Sequence, residues 1–390
     1  MAFALEAVDR ASAARTACLS LNHGSVETPC FMPVGTNATV KAMSVGDLED
    51  LGVRLILGNT YHLLLRPGPE VIAAAGGLHR FMGWPHAILT DSGGYQVFSL
   101  SQFRKIEESG VSFRSHLDGS ARRLTPEDVV DLEILSYGSD VLMPLDVCTA
   151  PGIPRAEAEE ALALTTRWLG RSRDRWRGLE TPLKGDLFGI MQGNFYREMR
   201  ERSAADIVAL DLPGYAIGGL SVGEEFAVFR EFTHLSAGLL PADKPRYLMG
   251  IGTPAYVLEA IEAGVDLFDC VFPTRTARNA LVFTPDGPLN LRLEANRADF
   301  GPIDPGCRCT ACRNHSRAYL RHLFKAKEIL AAMLATRHNL AFMGRLVADA
   351  RQAIREGRFT AFKRGFLDRY EAPRDRRHSG AQSATGPAEN

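Results

Sequence analysis

Cysteine is scarce in this sequence: seven residues in 390, an odd number, with three of them clustered near the C-terminus. Such a set excludes a disulfide framework and suits a reducing compartment with a metal site. No uninterrupted apolar stretch approaches the ~20 residues that a membrane span needs. Glu6, Asp9 and Arg10 precede any apolar run, so no signal peptide is visible, and a soluble cytoplasmic protein is expected. Neither sign of charge dominates. The formal net charge is −1, so any face that binds nucleic acid must be local. The sequence has no phosphate-cradling glycine loop with a Lys-Ser/Thr pair, which argues against nucleotide hydrolysis. It has no serine nucleophile elbow, and internal repeats are not evident.

What it does contain is a recurrent pattern. A hydrophobic fraction of 45% is ample for a core, and 390 residues fit one large α/β barrel with an appendage. A hairpin is expected near Asn22-His23-Gly24. Short apolar runs then recur between helix-length segments. They are Phe31-Met32-Pro33-Val34, Leu55-Ile56-Leu57, Ala87-Ile88-Leu89, Val141-Leu142-Met143-Pro144-Leu145, Leu187-Phe188-Gly189-Ile190-Met191, Tyr215-Ala216-Ile217, Tyr247-Leu248-Met249 and Leu267-Phe268. Each is too short for a helix, and nearly all run into a polar or glycine residue. The intervening segments, such as 156–169 and 254–263, carry apolar residues at helical spacing. Strand alternating with helix predicts a parallel sheet. Eight repeats predict closure into a (β/α)8 TIM barrel, with its functional face at the C-terminal strand ends. A doubly wound open sheet is the alternative.

One insertion breaks the pattern. Residues 111–117 alternate in part, Asp118-Gly119 is a hairpin turn signal, and 120–124 return. Decoration and a flap over substrate are equally good readings of such a hairpin. Thr125-Pro126 then predicts a helix start, with a threonine cap and proline in first position. Residues 372–390 are polar, small and aperiodic, which predicts a disordered tail.

Cys307, Cys309 and Cys312 put three thiols in one short segment. A helical stretch is expected over 316–334, with His338 beyond it. Three thiolates and one imidazole make a closed tetrahedral site for one structural Zn2+, with no position open for catalysis. His315, His322 and His116 compete in principle for the fourth place. Arg308, Arg313, Arg317, Arg321, Lys325 and Lys327 surround the site with few acids between them. They read either as a solvated basic face or as a surface for a phosphate backbone.

The strand ends collect Asp91, Asp146, Gln192, the Gly218-Gly219 backbone and Asp269. Three carboxylates at one barrel mouth are costly unless ligand, water or cations compensate them. Together with a glutamine and glycine amides they form a socket for a flat heterocycle. Carboxylates accept from ring N–H and amino groups; an amide and a backbone N–H donate to a carbonyl. That set fits the edge of a guanine, with Tyr95 and Met249 available to stack on its faces. A proline-stiffened loop carrying Arg275 and Arg278 is expected after Asp269, and guanidiniums beside that carboxylate would keep it ionised. The bland alternative is a strand-end aspartate salt-bridged to Arg275.

Several long segments carry a resemblance. They are Thr28-Pro29-Cys30-Phe31-Met32-Pro33-Val34-Gly35-Thr36, Asn59-Thr60-Tyr61-His62-Leu63, Leu65-Arg66-Pro67-Gly68, Leu89-Thr90-Asp91-Ser92-Gly93-Gly94-Tyr95-Gln96 and Gly218-Gly219-Leu220-Ser221-Val222-Gly223-Glu224. Phe268-Asp269-Cys270 with Pro273-Thr274-Arg275, and the Cys307/Cys309/Cys312/His338 set, complete them. From about 14 to 370 the chain resembles the bacterial tRNA-guanine transglycosylases. The resemblance implies a TIM barrel with an inserted zinc subdomain, and a homodimer. It implies exchange of guanine at wobble position 34 of tRNAs with a GUN anticodon for a 7-deazaguanine base, on the queuosine pathway. By the same likeness Asp269 is the nucleophile and Asp91 the general acid/base. Asp91, Ser92, Gly93, Gly94, Tyr95, Asp146, Gln192, Gly219, Leu220 and Met249 form the base site. Gly250, Ile251, Gly252, Thr253, Pro254, Ala255 and Tyr256, with Thr274, Arg275, Thr276, Ala277 and Arg278, match the loops that contact tRNA. The implied division is a barrel region with the N-terminal hairpin (1–290), a zinc-binding subdomain (291–345), a helical segment closing the barrel (346–371) and the tail (372–390).

The chain departs from the family pattern at Asp146-Val147-Cys148, where bacterial members commonly have Asp-Glu-Cys, and at Leu145, where an aromatic is frequent. The missing glutamate bears on recognition of the amino tail of the base. Cys148 and Val222 still resemble the enzymes that take the 7-aminomethyl precursor, which is favoured over queuine. Two other readings compete: a superfamily member acting at another base or nucleic-acid site, and a non-catalytic tRNA-binding partner subunit. The archaeal type usually carries a C-terminal RNA-binding extension, which this sequence lacks. Partner subunits lose the nucleophile, whereas Asp91 and Asp269 are both present.

Overall fold

The computed structural model describes residues 1–100 and 104–372. The expected tail, 372–390, lies from 373 onward outside the described residues. Eight staves follow the eight apolar runs. The first is Cys30–Met32 with Val34–Gly35, divided by Pro33. Then come Leu55–Asn59, Ala87–Asp91, Val141–Leu142, Asp186–Met191, Gly214–Ile217, Arg246–Leu248 and Leu267–Asp269. Every neighbouring pair is parallel. The last stave pairs back onto the first through Leu267↔Cys30, Phe268↔Phe31 and Asp269↔Met32. The sheet therefore closes into a barrel, and the open doubly wound alternative is excluded. Pro33 has no N–H to give the ladder, yet its carbonyl still accepts from the Leu57 N–H at 3.0 Å.

Side-chain alternation along the staves explains what fills the barrel and what reaches its mouth. Leu55 and Leu57, Ala87 and Leu89, Phe188 and Ile190, Tyr247, and Leu267 pack together in the interior. Their neighbours Ile56, Ile88, Leu187, Leu248 and Phe268 face the surrounding helices. Continuing the inward series by one step gives Asn59, Asp91, Gln192, Met249 and Asp269. The polar residues at the strand ends thus aim into the mouth because they share the parity of the buried aliphatics below them. A one-residue slip would turn them toward the helices.

The N-terminal hairpin forms as expected, as Arg15–Leu21 paired with Gly24–Thr28, and Ala2–Val8 adds a third strand. Thr125 caps helix Pro126–Asp131. Its hydroxyl accepts from the Asp128 N–H at 3.1 Å, and the Asp128 carboxylate accepts from the Thr125 N–H at 2.9 Å. The insertion is larger than a two-stranded hairpin: Arg104–Glu107, Gly110–Arg114 and Ala121–Leu124 form a three-stranded sheet. Val111, Phe113 and Leu124 pack its inner side against Tyr61, Leu145 and Trp168. The helix expected over 316–334 is two helices, Arg317–Ala326 and the start of Ile329–Arg355. Lys327 adopts a left-handed conformation at φ 61°, and its N–H and that of Glu328 both turn back to Leu323 O. The apolar pattern runs through this break, so spacing alone did not reveal it. No helix among the described residues is long and apolar enough to cross a membrane.

Candidate active site and metal centre

At the barrel mouth, Asp91 ends the third stave and is 8% exposed. Asn59 Nδ2 donates to its Oδ2 at 2.7 Å, Gln96 Nε2 donates to the same oxygen at 3.3 Å, and the Thr60 N–H donates to Oδ1 at 3.3 Å. Burial, together with the nearby charge of Asp269, pushes the Asp91 carboxyl up to about 8. At neutral pH Asp91 therefore holds a proton.

Asp269 ends the eighth stave. Its Oδ1 accepts from the Tyr247 hydroxyl at 2.6 Å and from the Gly250 N–H at 2.9 Å. Burial raises this carboxyl above its ordinary value, against the opposing pull of those two donors. The sequence pattern placed arginines beside Asp269 to hold it ionised, and the structure corrects this. Arg275 and Arg278 lie on a helix, Phe272–Arg278, rather than a loop, and neither pairs with Asp269. Proline in the first turn is the reason: its fixed φ suits a helix start as well as a stiff loop. The salt bridge to Arg275 fails with it.

Asp146 lies beyond the short fourth stave. Gln192 Nε2 donates to its Oδ2 at 2.7 Å, and burial pushes the carboxyl up to about 6. Glycine is required beside this pair. A Cβ at Gly94 would stand 2.6 Å from Asp146 Oδ1, and one at Gly219 (φ +67°) 2.7 Å from Gln192 Oε1. Ser92 and Leu220 are buried, Met249 is half-buried, and Tyr95 is 42% exposed. Gly93 turns the chain at φ +79° against Tyr61. Beside Asp146 a narrow cleft of about 20 Å³ is walled by Leu145, Val147, Cys148 and Trp168. A larger cavity of about 530 Å³ opens near Met1, Trp176, Asp186 and Lys244, at the opposite end of the barrel, and holds none of these groups.

Among the residues matched to tRNA contacts, Gly250 and Arg275 are exposed. Thr253, Ala255, Tyr256, Thr276 and Arg278 are half-buried, and Ile251, Gly252, Pro254, Thr274 and Ala277 are buried. Tyr256 packs between Phe226 and Phe229.

Four residues at the mouth escaped the sequence reading. Asn59 and Thr60 hold Asp91, Tyr247 holds Asp269, and Arg200 is fully buried with Nη1 donating to Gly218 O at 2.8 Å and Nε to Asn194 O at 2.9 Å. Inward parity was the available signal for Asn59 and Tyr247. Arg200 sits on helix Arg197–Val208 with no local cue.

The metal-ligand set comes together as the spacing implied. Cys307, Cys309, Cys312 and His338 are all buried, and their donor atoms lie within 4.8 Å of one another. His338 Nε2 lies 2.7 Å from Phe283 O, to which it donates, and this directs Nδ1 at the thiols, 3.2 Å from Cys312 Sγ. Three soft thiol donors and one oriented imidazole fit a metal ion closed on all sides. The competing histidines are elsewhere: His116 bonds the Tyr61 hydroxyl at 2.9 Å, His315 stacks on Tyr319, and His322 is exposed. The basic face is thinner than the sequence suggested. Arg317 pairs with Asp299 at 3.0 Å and Arg321 pairs with Glu294, acids supplied from the preceding segment. Arg308, Arg313, Lys325 and Lys327 are exposed.

A further group, His23, His79 and Asp140, brings two imidazoles to one buried carboxylate, at 2.9 and 3.2 Å. The rings stack at 3.6 Å and 20°. Near-parallel rings cannot aim both lone pairs at one ion; His23 Nδ1 hydrogen-bonds Oδ1 and His79 Nε2 lies beside Oδ2, which brings the N-terminal hairpin against helix Leu78–Met82.

Comparison with known proteins agrees with this geometry. A family profile described as queuine tRNA-ribosyltransferase matches residues 9–372. A protein of that name from Treponema denticola is 50% identical over 95% of this chain and 97% of its own length. Its namesake from Nitratidesulfovibrio vulgaris is 53% identical over 93% of the chain and 96% of its length. The one from Caldanaerobacter subterraneus subsp. tengcongensis is 51% identical over 94% and 97%. A closed parallel barrel, two carboxyls at its mouth and a buried three-cysteine, one-histidine cluster thus occur in a chain that, over residues 9–372, belongs to the queuine tRNA-ribosyltransferase family.

Proposed function

We propose that the chain is a tRNA-guanosine(34) transglycosylase, a pentosyltransferase of queuosine biosynthesis. It exchanges guanine at the wobble position of tRNAs with GUN anticodons (Asp, Asn, His, Tyr) for a 7-deazaguanine, with the 7-aminomethyl base favoured. The observation that carries this is a proton-holding Asp91 set near Asp269 at one barrel mouth.

Breaking an N-glycosidic bond passes through an oxocarbenium-like state, which a carboxylate stabilises and traps. Tyr247 and Gly250 both occupy Oδ1 of Asp269, which leaves Oδ2 for attack on the ribose C1′. The C1′–N9 bond breaks as the C1′–Oδ2 bond forms, and guanine leaves with the Asp91 proton. The incoming base then returns a proton to Asp91 and displaces Asp269 from C1′. Two displacements retain configuration. One glycosidic bond replaces another, so no ATP is consumed.

Asp146, Gln192, the Gly219 amide and Leu220 hold the base edge. Ser92, Gly93 and Gly94 back it, and Tyr95 and Met249 lie on its faces. The segments 250–256 and 274–278 meet the tRNA, with Arg275 and Arg278 toward phosphates or neighbouring nucleotides; buried Ile251, Pro254, Thr274 and Ala277 support those segments from beneath. The metal is one structural zinc per subunit, the assembly a homodimer, and the compartment the cytoplasm. The division is barrel 1–290, zinc subdomain 291–345 and closing segment 346–371.

The test is incubation with labelled guanine, the aminomethyl base and queuine, each with an unmodified GUN tRNA. Guanine and the aminomethyl base are expected to enter the tRNA, and queuine poorly. Incorporation of none of the three would overturn the proposal.

A further inference from the structure

One buried acid has no part in that exchange. Glu133 is 0% exposed and sits in the six-residue π-helical turn Leu132–Tyr137, which continues helix Pro126–Asp131. Wide turns of this kind are uncommon and concentrate at functional sites. The groups around its carboxyl are the Thr60 and Thr90 hydroxyls, the Met143 amide, Asp91 and the buried Tyr137 phenol, with no cation among them. Glu133 Oε1 accepts from Thr60 Oγ1 at 3.1 Å. The backbone N–H of the same Thr60 donates to Asp91 Oδ1 at 3.3 Å. One residue therefore joins the two acids, its hydroxyl held by Glu133 and its amide held against Asp91.

We propose that Glu133 is the positioning residue behind Asp91: it fixes Thr60, and Thr60 aims the Asp91 carboxyl at the departing and incoming base. This rests on the transglycosylase reading above. A buried carboxyl without a cation takes up a proton rather than stay charged. Burial raises Glu133 well above the usual carboxylate range. The neutral form matters to the chemistry. A second negative charge behind Asp91 would tighten its proton further, and Asp91 has to release that proton to guanine and take it back.

The test is single-turnover formation of the covalent tRNA adduct by the full chain, followed across pH. Glu133→Gln keeps the acceptor for Thr60 without charge, and its rate and pH profile are expected to stay within about threefold of wild type. Glu133→Leu removes the acceptor while keeping the volume, and is expected to slow adduct formation roughly tenfold or more with tRNA affinity unchanged. Thr60→Val deletes the hydroxyl but keeps the amide. It is expected to reproduce that loss, and it decides the matter if Glu133→Leu does not fold. The double variant is expected to be no slower than the slower single variant. Unchanged rates and pH profiles in Glu133→Leu and Thr60→Val would overturn the proposal. So would losses that multiply, or a Glu133→Gln as slow as Glu133→Leu. A wild type that forms no adduct would overturn the transglycosylase reading, and this inference with it.

Discussion

The Tyr247 hydroxyl donates to Asp269 Oδ1 at 2.6 Å, from the stave beside the one that Asp269 ends. The tyrosine is fully buried, so its phenol has no water to exchange this bond for. One oxygen of the carboxyl is thereby anchored, and in the proposed exchange the other is the one that attacks.

Replacing Tyr247 with phenylalanine keeps the buried ring and removes the anchor. A hydrogen bond to a charged group is worth about 1.5–3 kcal/mol, so adduct formation is expected to slow by roughly tenfold or more. Asp269→Asn is expected to abolish the adduct while tRNA binding persists. Gel trapping of the enzyme–tRNA species checks both, and an undiminished adduct in Asp269→Asn would refute its role as nucleophile.

In the proposed exchange Asp91 has to hold a proton for guanine to depart. Its carboxyl is pushed up to about 8 by burial and by the Asp269 charge. The acid form is populated below that value, so single-turnover adduct formation is expected to fall as pH rises through about 8 and to hold level down to neutral. A rate that climbs steadily from pH 7 to 9.5 would contradict the assignment.

The buried cysteine–histidine cluster predicts one bound zinc per chain. Cys309→Ser, or strong chelation, is expected to release it and to destabilise the surrounding helices, since a ligand set of this kind contributes its binding energy to folding. Elemental analysis gives the stoichiometry, and amide hydrogen exchange locates the loosened region. Wild-type protein free of zinc would end this argument.

Binding of tRNA through Arg275, Arg278 and the exposed Arg308, Arg313, Lys325 and Lys327 is expected to weaken with salt, by roughly one log unit per log of salt for each phosphate neutralised. Because Arg317 and Arg321 are already paired, charge-removing variants of those two are expected to lower the slope less than variants of Arg308 or Arg313. Affinity measured by filter binding across a salt series checks the order.

The barrel was readable because its signal is local. Runs such as Leu55–Leu57 and Ala87–Leu89 end on polar residues, and period-two alternation carries their inward parity straight to Asn59 and Asp91. The cysteine spacing was readable for the same reason. The break at Lys327, the third strand of the insertion and the ion pairs of Arg317 and Arg321 were not. Each depends on a backbone turn or on partners from another segment, which the apolar pattern does not record.

The sequence by itself determined the alternation of strand and helix, the polar residues that end the staves and the clustered cysteines, because alternation and spacing are properties of neighbouring positions. Only the tertiary structure decided which acid keeps its proton, that a tyrosine and not an arginine steadies Asp269, and that Glu133 stands behind Asp91. Proton affinity follows from desolvation and from nearby charges, and the groups that impose both on Asp91 come from distant parts of the chain and meet only once it has folded.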